Sequence, residues 1–592
     1  MAQSDTRGHA AAARVFALLF SGVAAIGAFM LFLQFGMADG LDVMDIVRSV
    51  LILISTFWLA WGAAQAIMGL MSRAEAPSLP AFTGLSTKTA ILVPVYNEDP
   101  VAVFARVAAM DASLKATGHS EHFHFAILSD TRKDDIAEQE RIWFEHLMDD
   151  CDGEGRMFYR RRTSNAGRKA GNIEDFFQRS GAAYDFALIL DADSLMAGDT
   201  IVEMARRMEA EPRLGLLQTL PKVTRAEARF GRAMQYSASF HSPIFARGLA
   251  MMQGETGPFW GHNAIVRSRA FAESCGLPEL TGRPPFGGHV MSHDYVEAAL
   301  LARAGWIVRL DDDLEGSFEE GPENIVDHAK RDRRWCQGNL QHAKIVNAPG
   351  LRSWNRFVFI QGILSYISPL FWLGFLISSI TAPWFTPPIN YFPVPDWPFP
   401  VFPSDETWKA IGLAVGIFGL LFLPKLLVAA DAILSRRARD FGGAGLVLQS
   451  TLVELIFSSI TAPILMMFQT RSVLQVIFGA DSGWPTNNRG DGSLSLGESW
   501  AASWWIVVTG LVVLSATYVL FPGLVPWLLP IALPMIIAPL VICWTSRRSM
   551  TSLFRVPVER HPHPVMLTMD RILARWEGER DLTEAEAVAV PA

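Results

Sequence analysis

Seven stretches of this chain are almost free of charge over about 20 residues or more, which no water-soluble single-layer domain tolerates. A hydrocarbon core ~30 Å thick takes about 20 helical residues. Runs 15–36, 49–71, 357–382, 501–521 and 523–545 meet that length outright, 408–430 is interrupted by Lys425, and 446–478 holds Glu454, Pro463 and Arg471. The run Val15–Gly36 is too long for a signal peptide, has no convincing cleavage site and is expected to stay as a helix. The expected division is 1–72, two transmembrane helices; 73–350, a water-soluble block; 351–546, a second transmembrane and channel region; and 547–592, a tail.

Basic residues set the expected orientation. Loop 37–45 and the Pro-rich loop 383–407 carry no Lys or Arg, whereas Arg7, Arg14, Arg73, Arg436, Arg437, Arg439, Arg547 and Arg548 cluster at the other ends of the runs. The block and the chain end at 592 are therefore expected in the cytosol. Runs 501–521 and 523–545 read as a hairpin around Pro522-Gly523. Parity then requires 446–478 to cross twice or not at all, and Glu454 and Arg471 suit a re-entrant or interfacial segment at a channel mouth.

Composition narrows the partners. Only 19% of residues are charged, against about 25% in soluble domains, so the lipid bilayer is one partner. The net charge of -8 contains no basic block, which argues against nucleic acid. The four cysteines form no CxxC or Cys/His pattern, so neither a zinc site nor a disulfide framework is expected.

Within 73–350, short apolar runs alternate with helical patterns, as in a parallel α/β sheet. Strands are expected at 89–96, 124–130, 156–162, 186–193 and 214–219, with helices at 100–115 and 134–148. Asp130 and Asp191 stand at carboxyl ends of strands, where open α/β sheets bind ligands. In "LILDADSL", Asp191 and Asp193 offer hard oxygen ligands for Mg²⁺ or Mn²⁺ bridging a diphosphate; turn or capping aspartates are the alternative. Asn97 and Glu98, in the turn after the first strand, and Asp130 could hold a nucleoside. Lys169, in a Gly-flanked turn opening a helix, suits pyrophosphate. Asp294, near the start of a helix, could be the general base for an acceptor hydroxyl, or a helix cap; its neighbour His293 reads as structural. Arg334 and Trp335 combine a cation for phosphate with an aromatic plane for a sugar face.

In that order these motifs resemble glycosyltransferase family 2, the processive membrane synthases that include cellulose and hyaluronan synthases. The match covers about 90–340: Asp130 as the nucleotide-binding aspartate, Asp191 and Asp193 as the DxD, Asp294 as the catalytic carboxylate of TED, and Arg334-Trp335 closing QxxRW. Two departures stand out, since TED is "SHD" and the Gln position is Arg331. Those variants, with "GHNAIVR" (261–267) and 469–484, resemble the branch that makes osmoregulated periplasmic glucans.

The resemblance implies a GT-A type α/β catalytic domain over 73–350, inserted in a multi-pass helical membrane domain of a Gram-negative inner membrane. It implies UDP-glucose as donor, a growing β-glucan as acceptor, and an inverting reaction giving a linear β-1,2-glucan exported to the periplasm. It also implies acyl carrier protein and a periplasmic glucan-processing protein as partners, although no residue argues for either. A β-1,4-glucan synthase, or a transporter that only senses a nucleotide sugar, stays open on sequence grounds.

Overall fold

The computed structural model describes residues 2–37, 40–73, 79–82, 84–385, 391–392, 398–400, 406–480, 492–549 and 551–589. Loop positions around Asn390 and residues 481–484 of the 469–484 stretch lie outside them. Among the described residues six helices are long and apolar enough to cross a membrane, and a bent pair, Pro522–Ile536 with Ala538–Thr545 (56°), makes up to seven.

Ala2–Gly36 and Val43–Met71 pack along each other, the second opened by a capping box between Asp42 and Asp45. Its far end meets helix Ser242–Gln253 of the block, where Gly69 and Gly248 let the two backbones touch. Ser353–Thr381 and Thr407–Leu434 follow the block, and both pack against Val43–Met71. Leu496–Leu520 and the bent pair form the expected hairpin. Its two ends meet on the block side, where the Leu494 N–H donates to Ser546 Oγ at 3.0 Å.

The stretch 446–478 is one continuous helix, Ala444–Ile477, which excludes a double crossing. Near its start Val447 and Thr451 meet the Tyr236 hydroxyl; at its middle Ile464 and Met467 pack on Phe230 and Ile325; near its end Val473 and Val476 pack on Cys336 and Leu340. All of those partners belong to the block. From Val447 to Val476 a helix runs about 44 Å, so a rod touching the block at both ends lies along its surface. It is also one of the six helices long and apolar enough to cross a membrane.

Glu454 and Arg471, expected at a channel mouth, and Gln469 between them are engaged by neighbouring side chains. Glu454 takes both its bonds from Lys425 Nζ at 2.6 and 2.9 Å, Gln469 bonds Asp332, and the Arg471 guanidinium stands 5.2 Å from the Trp505 ring. Each ties this helix to a neighbour, because an unpaired polar group in apolar surroundings is costly.

The block is built on a seven-stranded sheet. Its strands are β1 (Thr89–Val95), β2 (Phe123–Ser129), β3 (Met157–Arg161), β4 (Phe186–Ile189), β6 (Leu214–Gln218), β8 (Ala264–Arg267) and β9 (Ile307–Leu310), in the order β3-β2-β1-β4-β8-β6-β9. A small second sheet joins β5 (Leu195–Met196), β10 (Ser317–Glu320) and β7 (Lys222–Thr224). The five expected strands are present, but β8 runs antiparallel between β4 and β6, so the sheet is mixed rather than parallel.

The central strands are apolar on both faces because both are covered. Ile91, Val93, Phe125 and Leu188 face one layer that includes helix Pro100–Thr117, while Leu92, Leu128 and Ile189 face Ile173, Phe176 and Phe177 of helix Arg168–Ser180. Beyond Arg547 the chain does not trail away. Helix Pro564–Ala589 packs on Pro100–Thr117, and its Trp576 is fully buried in the first of these layers.

Candidate active site

Parallel pairing of β1 with β2 and with β4 places their carboxyl ends side by side. A cleft opens there, lined by Glu98, Asp130, Lys169, Asp191, Asp193, Asp294, Arg334 and Trp335, together with Arg168, Trp260, His262, His293 and Arg331. Residues more than 200 positions apart in sequence thus meet at one sheet edge.

Asn97 does not line this cleft. It adopts a left-handed turn (φ 54°), and its side-chain oxygen accepts the backbone N–H groups of Arg132 and Lys133 at 3.0 and 3.1 Å. It holds the loop after β2 in shape, beside the cleft that Glu98 lines. Asp130 is on the cleft wall, but both carboxylate oxygens accept from Arg162, each at 2.7 Å. This bidentate pair fixes the wall and takes up one acceptor site on each Asp130 oxygen.

Lys169 Nζ bonds the Asp191 carboxylate and the Gly261 carbonyl oxygen, the latter at 2.6 Å. His262 donates from Nε2 to Glu319 at 2.8 Å and from Nδ1 to the Trp260 carbonyl at 3.1 Å, with Nδ1 also 3.6 Å from Asp191. With both ring nitrogens donating, the imidazole is the cation. Burial alone would lower its pKa; Asp191 and Glu319 outweigh that and raise it. For Asp191, burial works upward, yet Lys169 and His262 hold the carboxylate well below its usual range.

Asp191 and Asp193 therefore fit a divalent ion. The donor atoms are hard oxygens at the cleft, the Asp191 carboxylate is kept ionised, and an ammonium already sits where a cation would go. Among the described residues one cluster of His and Glu brings three ligand atoms within 4.8 Å, His119, Glu121 and His122. It precedes β2 at the opposite edge of the sheet and belongs to a different region.

Asp294 opens helix His293–Arg303. Burial raises its pKa, with His293 and the Tyr295 N–H pulling the other way. Gly261 (φ 85°) faces it, and a Cβ built there would lie 3.6 Å from the Asp294 Cβ, so glycine satisfies the backbone and keeps the space beside the carboxylate open.

A second cavity, of about 600 Å³, continues from the cleft toward the membrane helices. It shares Trp260, His262, Ser292, Asp294, Arg331 and Trp335 with the cleft and reaches Gln65 of Val43–Met71 and Gln361, Ser365 and Tyr366 of Ser353–Thr381. Among the described residues Asp294 is the only acid lining both. Trp335, 39% exposed, carries the Arg331 guanidinium 4.6 Å from its ring centre.

Residues 90–274 match the glycosyl transferase family 2 model, and 186–422 match the glycosyl transferase family group 2 model. A glucans biosynthesis glucosyltransferase H from Cereibacter sphaeroides is 69% identical over 590 residues, 100% of this chain and 99% of the relative. The chain belongs to that glucosyltransferase family. Relatives of the same name from Bradyrhizobium diazoefficiens (39% over 559 residues; 91% of this chain, 74% of the relative) and Vibrio cholerae (40% over 530; 87% and 72%) extend the likeness. The enzyme is thus a family 2 glycosyltransferase of glucan biosynthesis with a GT-A-like mixed sheet and membrane helices.

Sequence reasoning passed over Arg162, His262 and Glu319 as site residues. Arg162 ends an expected strand and His262 lies in a quoted motif, but nothing in linear spacing says that they face Asp130 and Asp191. Glu319 sits on the short strand β10, whose pairing with β5 and β7 is set by tertiary contacts.

Proposed function

We propose that this enzyme polymerises glucose from UDP-glucose into the linear β-1,2-glucan backbone of osmoregulated periplasmic glucans and passes the chain across the bacterial inner membrane. One observation carries this reading: Asp294 stands where the donor cleft and the membrane-directed cavity join. A base that activates an acceptor hydroxyl against a donor needs that position.

In a single displacement, Asp294 takes the proton of the acceptor hydroxyl as its oxygen attacks the anomeric carbon. The bond from that carbon to the diphosphate oxygen breaks, and its electron pair leaves with UDP. One displacement inverts the centre, so an α-linked donor gives a β-linked product. Lys169, His262 and Arg334 meet the charge on the departing diphosphate. Mg²⁺ or Mn²⁺ held by Asp191 and Asp193 would neutralise further phosphate charge. Trp335 offers its plane to the acceptor end, and Gln65, Gln361, Ser365 and Tyr366 supply hydroxyl and amide partners toward the bilayer.

The catalytic block is assigned to the cytosol, where nucleotide sugars are made, and the arginines at 436, 437, 439, 547 and 548 support that side. The test is purified enzyme in detergent or nanodiscs with labelled UDP-glucose, with and without Mg²⁺ and EDTA, followed by linkage analysis. A 1,2-linked β-glucan formed only with a divalent ion is expected; a 1,4-linked product, or UDP-glucose left unused, overturns the corresponding part.

A further inference from the structure

His293 stands where the family pattern has an acid, so the residue beside the base has changed from negative to basic. The negative charge has not disappeared from the fold. Glu297, one helical turn on, places Oε2 3.1 Å from His293 Nδ1, and both side chains are buried. Residues four apart share a helix face, so this pair is preset by the helix itself.

The imidazole has two ends, and the structure separates them. Nδ1 is fully buried 3.1 Å from Glu297 Oε2, an ion contact without an aligned hydrogen bond. His293 is nonetheless one of the residues lining the donor cleft, and Nε2 is not among the fully buried unpartnered atoms, so the cleft is the side open to Nε2. His293 does not line the membrane-directed cavity, although Ser292 and Asp294 on either side do. The helix start thus presents Asp294 to donor and acceptor together, and His293 to the donor alone.

The phosphate-facing cations, Lys169 and His262, are gathered at Asp191. His293 is instead the immediate neighbour of the base, at the part of the cleft where the anomeric carbon must lie for Asp294 to work.

We propose that His293, aimed by Glu297, hydrogen-bonds through Nε2 to a hydroxyl of the donor's hexosyl group and so fixes the face that the anomeric carbon turns to Asp294. Glu297 is a positioning residue that acts through His293. The proposal rests on the donor reading above, and deepens it by naming which part of the donor is held.

The experiment compares full-length enzyme with His293→Ala, His293→Gln, Glu297→Gln and Glu297→Ala, reading KM for UDP-glucose and the inhibition constant of UDP. UDP lacks the hexosyl group, so the ratio of the two constants isolates the proposed contact. His293→Ala should raise KM about tenfold or more, the size of one lost hydrogen bond to a sugar hydroxyl, and shift UDP by less than about twofold. His293→Gln, which keeps an N–H donor, should recover most of the loss. Glu297→Ala should move the same ratio in the same direction, and Glu297→Gln less. An unchanged ratio in His293→Ala, or equal weakening of UDP and UDP-glucose, overturns the proposal, the latter by showing a phosphate contact or a damaged fold. Wild-type turnover of UDP-glucose tests the donor reading separately; if another nucleotide hexose is the donor, the same ratio is read with that one.

Discussion

The Lys425 ammonium lies 2.6 and 2.9 Å from the two carboxylate oxygens of Glu454, joining helix Thr407–Leu434 to helix Ala444–Ile477, which lies along the catalytic block. Glu454 is almost fully buried. Removing one partner strands a charge in apolar surroundings, at a cost of ~3 to 5 kcal/mol. Glu454→Leu and Lys425→Met should each lower the melting temperature of the detergent-solubilised enzyme, and the double variant should recover much of it. Equal losses that simply add would show that the pair is not coupled.

In the proposed mechanism metal and base act on different molecules, which separates their variants. Asp193→Ala should abolish the dependence of UDP binding on Mg²⁺. Asp294→Asn should leave that binding intact and cut the rate by ~10² to 10⁴. Calorimetric titration of UDP beside an initial-rate assay distinguishes the two. Polymer made at the wild-type rate by Asp294→Asn removes this residue from the mechanism.

Burial raises the Asp294 pKa, and only the ionised carboxylate can take a proton. Activity is therefore full above that raised value and falls as pH drops through it, so the acid limb should lie above the usual aspartate value of ~3.9. A profile of kcat/KM from pH 4.5 to 8, with UDP binding followed in parallel to track folding, reads this directly. A rate flat down to the ordinary carboxylate range contradicts it.

What the sequence could convey follows from how far each signal acts. The apolar runs, the five strands and the carboxylates after β2 and β4 are local patterns, and all were legible. β8 was not: Ala264–Arg267 is a short apolar run whose antiparallel direction depends on neighbours β4 and β6. The backbone bonds of the Asn97 side chain were not legible either, because a polar turn after a strand has the same composition whether it binds a ligand or its own backbone. Glu454 and Arg471 were read as standing at a channel mouth because they stood out in an apolar run, yet the cavity that reaches the membrane helices is lined by Gln65, Gln361 and Ser365 on other helices.

The last helix was read as a tail because its mixed charge gives no strong apolar stripe. Its one large anchor, Trp576, is fully buried, with its ring 5.7 Å from that of Trp143. Trp576→Ala should destabilise the catalytic block by about 3 to 5 kcal/mol, and removal of residues 564–592 should do so more severely. Thermal unfolding checks both, with wild-type stability after truncation as the contrary result.

Trp335 offers the sharpest separation of acceptor from donor. It lines both cavities, is 39% exposed, and is backed on one face by Arg331. Its replacement therefore opens no core and should cost the fold little. A sugar ring laid on the indole would lose that plane in Trp335→Ala, while the proposed diphosphate contacts at Lys169, His262 and Arg334 would remain. The expected outcome is short or no polymer with UDP binding changed less than about twofold, since the two subsites contribute independently. Gln361→Leu, on the membrane side of the same cavity, should also shorten the product and spare UDP. If Trp335→Ala weakens UDP as much as it reduces polymer, the indole belongs to the donor site; if Gln361→Leu makes glucan of wild-type length, the polymer leaves by another route.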